Sequence, residues 1–408
     1  MQIKPILSAL RMHKAGTVLI ALQIALTLAV VCNALFIIQQ RLAHMSRSTG
    51  IDETNLLLIA NHWIGKKTGD SSLVATDLAT LRRLPGVVDA YSTNAYPLIG
   101  GGWASGVRTS QEERTPNNAS AIYFVDEHAV PTLGAKLIAG RNFRADEVVP
   151  MDGGDPDAAS IIISKALADK AFPQGSALGK PLYIGNRGSR PSTVIGVLEH
   201  LQSPSPASEE DERWQYTILV PMRLDSEFNQ FVIRVRAGQL DALAKAAPAA
   251  LRTVNRMREI PEENGVRTFA EVRSAAYDGD RGMVLLMGMV SVLLLAITAA
   301  GIVGLTSFWV GQRRKQIGVR RALGATRGDI LGYFLTENLL IGVGGVVVGA
   351  VLAIGINLWM VTQFEMARLS LAYVVVGVIA LLLLGQGAVL APALRASQVS
   401  PVEATRSV

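Results

Sequence analysis

The side chains of this 408-residue chain that could hold a metal or move a proton are few and poorly spaced for it. Between residues 41 and 280 the histidines are His44, His62, His128 and His200, with no HxxxH or HExxH pair among them. Cys32 is the single cysteine, so neither a CxxC site nor an intrachain disulfide can form. Asp126, Glu127 and His128 put two carboxylates beside an imidazole, and the reading preferred for them is a solvated helix start rather than a metal or catalytic site. No G-x-S-x-G elbow occurs, and no Ser-x-x-Lys stands in a catalytic context. Gly100, Gly101 and Gly102 resemble a phosphate loop only in composition, because no Gly-Lys-Ser/Thr follows; no Walker A motif exists in the chain. The expectation is therefore no enzyme, no metal, no cofactor held by this chain, and ATP hydrolysis supplied by another polypeptide. What stands out instead is a knot of positive charge. Residues 311–329 contain Arg313, Arg314, Lys315, Arg320, Arg321 and Arg327 against one acid.

The elements around that knot explain it. Half the chain is hydrophobic and only 18 % charged, where a soluble protein carries about 25 %. Residues 41–280 hold 26 basic and 29 acidic groups, so the remaining residues hold 13 basic and 4 acidic ones. The net charge of +6 thus belongs to short segments flanking apolar runs, the pattern of a membrane protein and not of a nucleic-acid face.

Four apolar runs are long enough to span a bilayer. The first, 17–38, follows Lys4, Arg11 and Lys14 and reaches about 33 Å, enough for a hydrocarbon core of about 30 Å. It is too long for a signal peptide and lacks an A-x-A site, so it reads as an uncleaved anchor. Cys32 lies within it and reads as a lipid- or helix-facing thiol. Residues 283–310, 338–364 and 370–394 follow, the third span starting near Ile330; a charge at mid-bilayer costs about 2.5–3.5 kcal/mol, and these cores contain none. The basic loop puts the N-terminus, residues 311–329 and the C-terminus on the cytoplasmic side.

Within the spans, Gly345 and Gly349 stand at GxxxG spacing, and Gly301 and Gly304 join other small residues in the second span, as helix packing in lipid favours. Packing within one subunit and a dimer seam are both open readings. Gln23, Asn33, Asn357 and Gln386 read as bonding neighbouring helices. No paired carboxylates or Lys/Arg relay marks ion-coupled transport.

Residues 41–280 read as a mixed α+β domain. Strands are expected at 55–60, 87–96, 122–125, 160–164, 193–197, 217–220 and 231–235, with helices at 71–84, 165–171, 240–254 and 269–280. The last of these runs toward the second span without a strong breaker, which suggests a continuous stalk. Surface loops are expected at 151–158 and 202–212.

The run Arg313-Arg314-Lys315-Gln316-Ile317-Gly318-Val319-Arg320-Arg321-Ala322-Leu323-Gly324-Ala325 resembles the "R-x-E-I-G-I-R-R-A-L-G-A" loop of FtsX-type permeases, with Glu337 in the helix that follows. Pro392-Ala393-Leu394-Arg395-Ala396, with Pro401-Val402-Glu403-Ala404 beyond it, is similar to that family's closing segment. Leu133-Gly134-Ala135-Lys136-Leu137, continuing to Gly140-Arg141-Asn142-Phe143, resembles a segment of MacB-like periplasmic domains, as do Ile163-Ser164-Lys165-Ala166-Leu167-Ala168 and Leu178-Gly179-Lys180. Gln316 departs from the family's usual Glu, and with it goes any pairing that carboxylate makes.

The resemblance implies a MacB-like permease without an ATPase domain: four transmembrane helices, one N-terminal and three C-terminal, around a large mixed α+β periplasmic domain. Its parts would be a cytoplasmic N-terminal amphipathic segment (1–16), helix 1 (17–40), the periplasmic core domain (41–280), helix 2 (281–310), a cytoplasmic coupling loop (311–329), helix 3 (330–364), a short periplasmic loop (365–369), helix 4 (370–394) and a cytoplasmic tail (395–408). It implies residence in a bacterial inner membrane. A separate cytoplasmic ATPase, binding ATP and Mg, would drive mechanotransmission and extrusion of a periplasmic substrate. The other implied partners are a second permease copy or paralogue, a periplasmic adaptor and an outer-membrane channel. The loop residues would contact the ATPase through an apolar face of Ile317, Ala322 and Leu323, with the basic flanks held to anionic headgroups and Gly318 and Gly324 allowing close approach or a turn. The alternatives are an FtsX-like regulator that transports nothing and a LolC/LolE-like lipoprotein-releasing permease.

Overall fold

The computed structural model describes residues 14–65, 72–113, 118–151, 158–185, 190–205, 212–224, 226–364 and 368–399. These fall into two compact units, with the chain dividing at 43/44 and at 279/280.

The first unit is a helical bundle. Its long helices are α1 (Lys14–Met45), α7 (Asp278–Gln312), α9 (Arg327–Phe364) and α10 (Leu371–Ser397), each long and apolar enough to cross a membrane. α1 is the most buried of the four and α7 the least. α1 takes that place because small residues on its neighbours let it approach: a Cβ on Gly345 would lie 2.9 Å from Ala21 O, and one on Gly349 2.8 Å from Ala25 O. Gly377 on α10 makes room for Cys32, whose Sγ would be 2.5 Å from an added Cβ; the thiol is buried and helix-facing. Gly301 would meet Gln23 Oε1 at 2.6 Å, while Gly304 has nothing within 4 Å.

The polar residues of the spans bridge helices. Gln23 Nε2 donates to Ile297 O at 3.1 Å, Thr27 and Thr298 share a hydrogen bond at 2.7 Å, and Asn33 Nδ2 donates to Ala353 O at 3.2 Å. Each such bond is worth about 0.6 kcal/mol in lipid. Asn357 Oδ1 accepts from Leu369 N at 2.8 Å, just before α10. Gln386 departs from the expectation, since its Nε2 is buried with no hydrogen-bond partner among the described residues.

The second unit is the α+β domain. In its first sheet β1 (Leu56–Trp63) lies between β12 (Phe228–Val235) and the short strands β13 (Arg258–Glu259) and β14 (Val266–Thr268), and β2 (Val87–Thr93) flanks β12 on its other side. The β1–β12 register pairs Leu57 with Ile233 and Ile59 with Phe231, which face α2 (Ser72–Arg82) and α5 (Leu240–Val254) through Leu78, Leu81, Leu243 and Leu251. Leu58, paired with Val232, faces the opposite core with Tyr91, Tyr123 and Leu219. A one-residue slip would exchange the two faces, so the alternation fixes the register.

The second sheet runs β5-β9-β7-β10-β4-β3-β8: Leu137–Gly140, Pro191–Leu198, Ser160–Ser164, Thr217–Val220, Asn118–Phe124, Trp103–Arg108 and Pro181–Ile184 in that order. β8 also pairs with β9, which closes six strands into a ring around Val107, Ile122, Phe124, Ile161, Ile163, Leu182, Val194 and Ile218. α4 (Lys165–Ala171) follows β7, its start capped by Ser164 Oγ accepting from Leu167 N. β6 (Val149–Pro150) and β11 (Met222–Arg223) form a separate two-stranded pair.

Three expectations need correction. The helix expected over 269–280 is two helices, α6 (Phe269–Ala276) and the start of α7, separated at Tyr277 with φ −112° and ψ 13°. Tyr277 is buried edge-on against His44 at 5.2 Å, so packing overrides a local sequence that has no breaker. Gln202 and Ser203, expected in a surface loop, are buried, and Gln202 Nε2 donates to the Tyr277 hydroxyl at 3.4 Å. The strands Trp103–Arg108, Leu137–Gly140 and Pro181–Ile184 were not expected at all. Each is short and one end of β5 is Gly140, where a Cβ would lie 2.1 Å from Ile195 O. The expected amphipathic segment before Lys14, the tail beyond Val399 and most of the expected loops at 151–158 and 202–212 lie outside the described residues.

Candidate functional site

The arginine-rich run folds as α8 (Arg314–Ala322), a nine-residue helix between α7 and α9. Its ends are set by local chemistry. Gly324 takes φ +98°, and Gly324 N and Ala325 N donate to Arg321 O and Arg320 O at 3.1 Å each, a left-handed turn that an L side chain resists. Thr326 then opens α9: its Oγ1 accepts from Asp329 N at 3.2 Å while Asp329 Oδ2 accepts from Thr326 N at 2.9 Å.

The basic residues divide by direction. Arg313 Nη1 donates to both oxygens of Glu337 at 3.0 and 3.1 Å, with the carboxylate side chain 3 % exposed and the arginine 12 %. Arg321 Nη1 donates to Ser397 O at 3.2 Å and Val399 O at 2.7 Å, and so satisfies carbonyls left open where α10 ends. The Arg320 guanidinium lies 5.1 Å from the centroid of the Tyr333 ring. Ile317 is buried among Ile330, Phe334, Val389 and Ala393, and Gly318 is buried beside it. Thus Ile317 does not belong to an outward apolar face, and Arg313 and Arg321 are engaged inside the bundle rather than reserved for headgroups.

What α8 shows to solvent is narrower. Val319, Ala322 and Leu323 are exposed at i, i+3, i+4 spacing, Leu323 to 82 %, with Arg314, Lys315 and Gln316 exposed around them. The helix is thus held from behind by a buried ion pair and by its neighbour's carbonyls, and turns a mixed apolar and basic side to solvent.

The acidic cluster of the other unit also turns out differently from the solvated helix start expected of it. Asp126 is buried, and Arg82 reaches it from α2 at 3.3 Å; Arg82 Nε lies 3.3 Å from Asp89, which also pairs with His128 at 2.9 Å. Burial pushes the Asp126 carboxyl up to about 6, against the opposing pull of Arg82 and His128 and with a small push from Glu127. His128 does stand at a helix start, that of α3 (Ala129–Leu133). Among the described residues no group of three or more His, Cys, Asp or Glu could hold a metal ion.

Comparison with known proteins places both units. Residues 17–251 match the family model of the MacB-like periplasmic core domain, and residues 288–401 match that of the FtsX-like permease C-terminal part. The macrolide export ATP-binding/permease protein MacB of Chromobacterium violaceum is 29 % identical over 352 residues, covering 83 % of this chain and 51 % of that protein. Its namesake from Neisseria gonorrhoeae is 27 % identical over 320 residues, covering 77 % and 47 %. The chain therefore spans about half the length of these curated relatives. The crystal structure of the periplasmic region of MacB from Actinobacillus actinomycetemcomitans covers 57 % of this chain and 97 % of its own, at 15 % identity and a TM-score of 0.36.

Proposed function

Because this chain belongs to the MacB-like periplasmic core domain family and carries an FtsX-like permease part, we propose that it is the permease subunit of a MacB-type ABC transporter. In this reading it is a multi-pass protein of a bacterial inner membrane. Both termini and α8 face the cytoplasm, and the α+β domain faces the periplasm, as the basic excess around the spans favours. A separate cytoplasmic ATPase binds ATP and Mg. Its closing moves α8, and α7 and α9 pass the motion toward the α+β domain, where it drives extrusion of a periplasmic substrate with the help of an adaptor and an outer-membrane channel. The functional unit is a dimer of this chain with itself or with a paralogue. α7 suits that seam: it is the least buried span, and Ala296, Ala300 and Gly304 lie exposed along it.

The observation that carries the reading is the exposed stripe Val319, Ala322 and Leu323 on a helix braced by Arg313–Glu337. Apolar side chains exposed on a helix that this reading places outside the hydrocarbon favour a partner's groove. Leu323→Asp in the full-length protein, co-expressed with a cytoplasmic ABC ATPase that the wild-type chain stimulates, should cut that stimulation more than tenfold and leave stability within about 0.5 kcal/mol, as for other exposed substitutions. Unchanged stimulation removes α8 from the interface. Copurification with a cell-wall hydrolase and no ATPase would replace export by the regulatory reading.

A further inference from the structure

α6 and α7 are parted by one residue. Tyr277 stands at φ −112° and ψ 13°, and its N–H turns to Ser274 O at 3.3 Å instead of continuing the ladder of α6. Two other helices of this chain stop at a left-handed glycine: Gly134 after α3, at φ +64°, and Gly324 after α8, at φ +98°. Nothing of that kind acts here. Residues 269–282 contain no proline, and their glycines, Gly279 and Gly282, lie inside α7 without positive φ and with nothing within 4 Å of an added Cβ.

The ring supplies the cause. Tyr277 is 1 % exposed and packs in one core with Phe269 and Val272 of α6. The edge of His44 meets it at 5.2 Å between centroids, and the Arg273 guanidinium lies 5.6 Å from its centroid. Arg273 is itself fixed: Nη2 donates to Met45 O and Arg47 O at 2.8 Å each, and Nη1 to Glu53 Oε1 at 2.6 Å. The polar end of this seat is poorly finished. Gln202 Nε2 donates to the Tyr277 hydroxyl at 3.4 Å, a long hydrogen bond. Gln202 is fully buried, and its Oε1 has no hydrogen-bond partner among the described residues. A gap of that kind in a buried network is a cost that the apolar contacts must offset.

We propose that Tyr277 is a two-position joint. Seated, the ring breaks the helix; withdrawn, it lets α6 run on into α7 as one helix from Phe269 to Gln312. The two positions exchange one set of contacts for another. With the break, Gly279 stands in the first turn of α7, where an amide has no carbonyl a turn earlier within the helix. In the continuous helix that amide donates to Ala275 O. The ring gives up its burial in return, and Gln202 a long bond. An element with two such packings is what a conformational change acts on. α7 continues as an apolar span, so the joint sets whether that span and α6 form one rod or two. The inference goes beyond the transporter reading and does not lean on it, for no ATPase enters its test.

That test is hydrogen exchange of the full chain in lipid nanodiscs, read by mass spectrometry with fragmentation that resolves the Gly279 amide. Tyr277→Leu removes ring and hydroxyl and keeps a helix-favouring side chain; His44→Ala opens the seat and leaves the tyrosine in place. The Gly279 amide should exchange at least about tenfold more slowly in Tyr277→Leu than in the wild type, and more slowly in His44→Ala as well, with β1 and β12 unchanged. Slowing in Tyr277→Leu is sufficient support. If that variant strips protection from β1 and β12, its core is lost and His44→Ala decides alone. Exchange as fast as wild type in the deciding variant overturns the proposal. So does a wild-type Gly279 amide already as slow as the middle of α7, for then no break exists to be closed.

Discussion

Arg258 in the α+β domain and Arg313 in the bundle are both drawn in against carboxylates, yet they are held in different ways. Arg258 and Asp77 are fully buried, and the guanidinium spends all three nitrogens: Nη2 on Asp77 at 2.7 Å, Nη1 on Asn61 at 2.9 Å and Nε on Asn255 O at 3.0 Å. Toward Glu337, Arg313 uses Nη1 alone, set between the two carboxylate oxygens, and it also reaches the Tyr333 hydroxyl. The first arrangement uses the fork of the guanidinium to stitch β13, α2, β1 and the end of α5 together. The second meets its carboxylate through a single nitrogen. The fork at Arg258 is specified by shape, whereas the ion pair at the root of α8 turns on charge at a single nitrogen.

Substitutions can break or sharpen that contrast. The largest effect is expected from Arg258→Lys, because a lysine cannot reach three acceptors lying in one plane and leaves buried groups unpaired. A loss of about 3 kcal/mol or more is expected from denaturant unfolding of the α+β domain signal in the full-length protein. Arg313→Lys should cost less, about 1 kcal/mol, and keep ATPase stimulation within twofold, whereas Arg313→Ala, which strands Glu337, should cost about 3 kcal/mol and most of the stimulation. If lysine fails at 313 as it does at 258, the two sites are alike and the distinction collapses.

A pH effect of intermediate size concerns Asp126, a buried carboxylate whose arginine is shared. Arg82 divides itself between Asp126, Asp89 and Ala90 O, and the Asp126 carboxyl rises from 3.8 to about 6. A raised carboxylate value means that the folded chain holds the proton more tightly than the unfolded one. Its contribution to stability is therefore full below the ordinary carboxylate range and is lost as pH rises through about 6. Between pH 4 and 7 this carboxyl should take about 1–2 kcal/mol from the unfolding free energy of the α+β domain, set against the opposite drift of His200, whose imidazole is held by burial below its ordinary value, and Asp126→Asn should remove that share. Glu147, held down to about 2 by Arg141, has the opposite sign and its window lies below pH 4.5, so it does not mask the effect. A wild-type slope that survives in Asp126→Asn assigns the titration elsewhere.

Much of the architecture was legible because its causes are local. Charge-free runs reveal spans without any knowledge of their neighbours, and the helices at 165–171 and 240–254 carry both their periodicity and their stops within themselves. The strands that escaped notice are the short ones of the closed ring, built of residues such as Ala104, Ser105 and Gly106 that have little strand preference and are held by their partners. The inward turn of the loop was hidden for the same reason. Arg313 finds its acceptor 24 residues away, and Arg321 finds its own 76 and 78 away. One signal did point there: Glu337 is an acid at the head of an apolar run, and such a group needs a counter-charge.

The seating of Cys32 against Gly377 and the Tyr373 carbonyl has a practical consequence. A thiol enclosed in the bundle, with no cysteine elsewhere in the chain, is silent toward water-borne maleimides. The native protein is thus its own blank for reporter scanning, and single cysteines placed at Lys315 or Lys136 can reveal which compartment each residue inhabits without first stripping anything away.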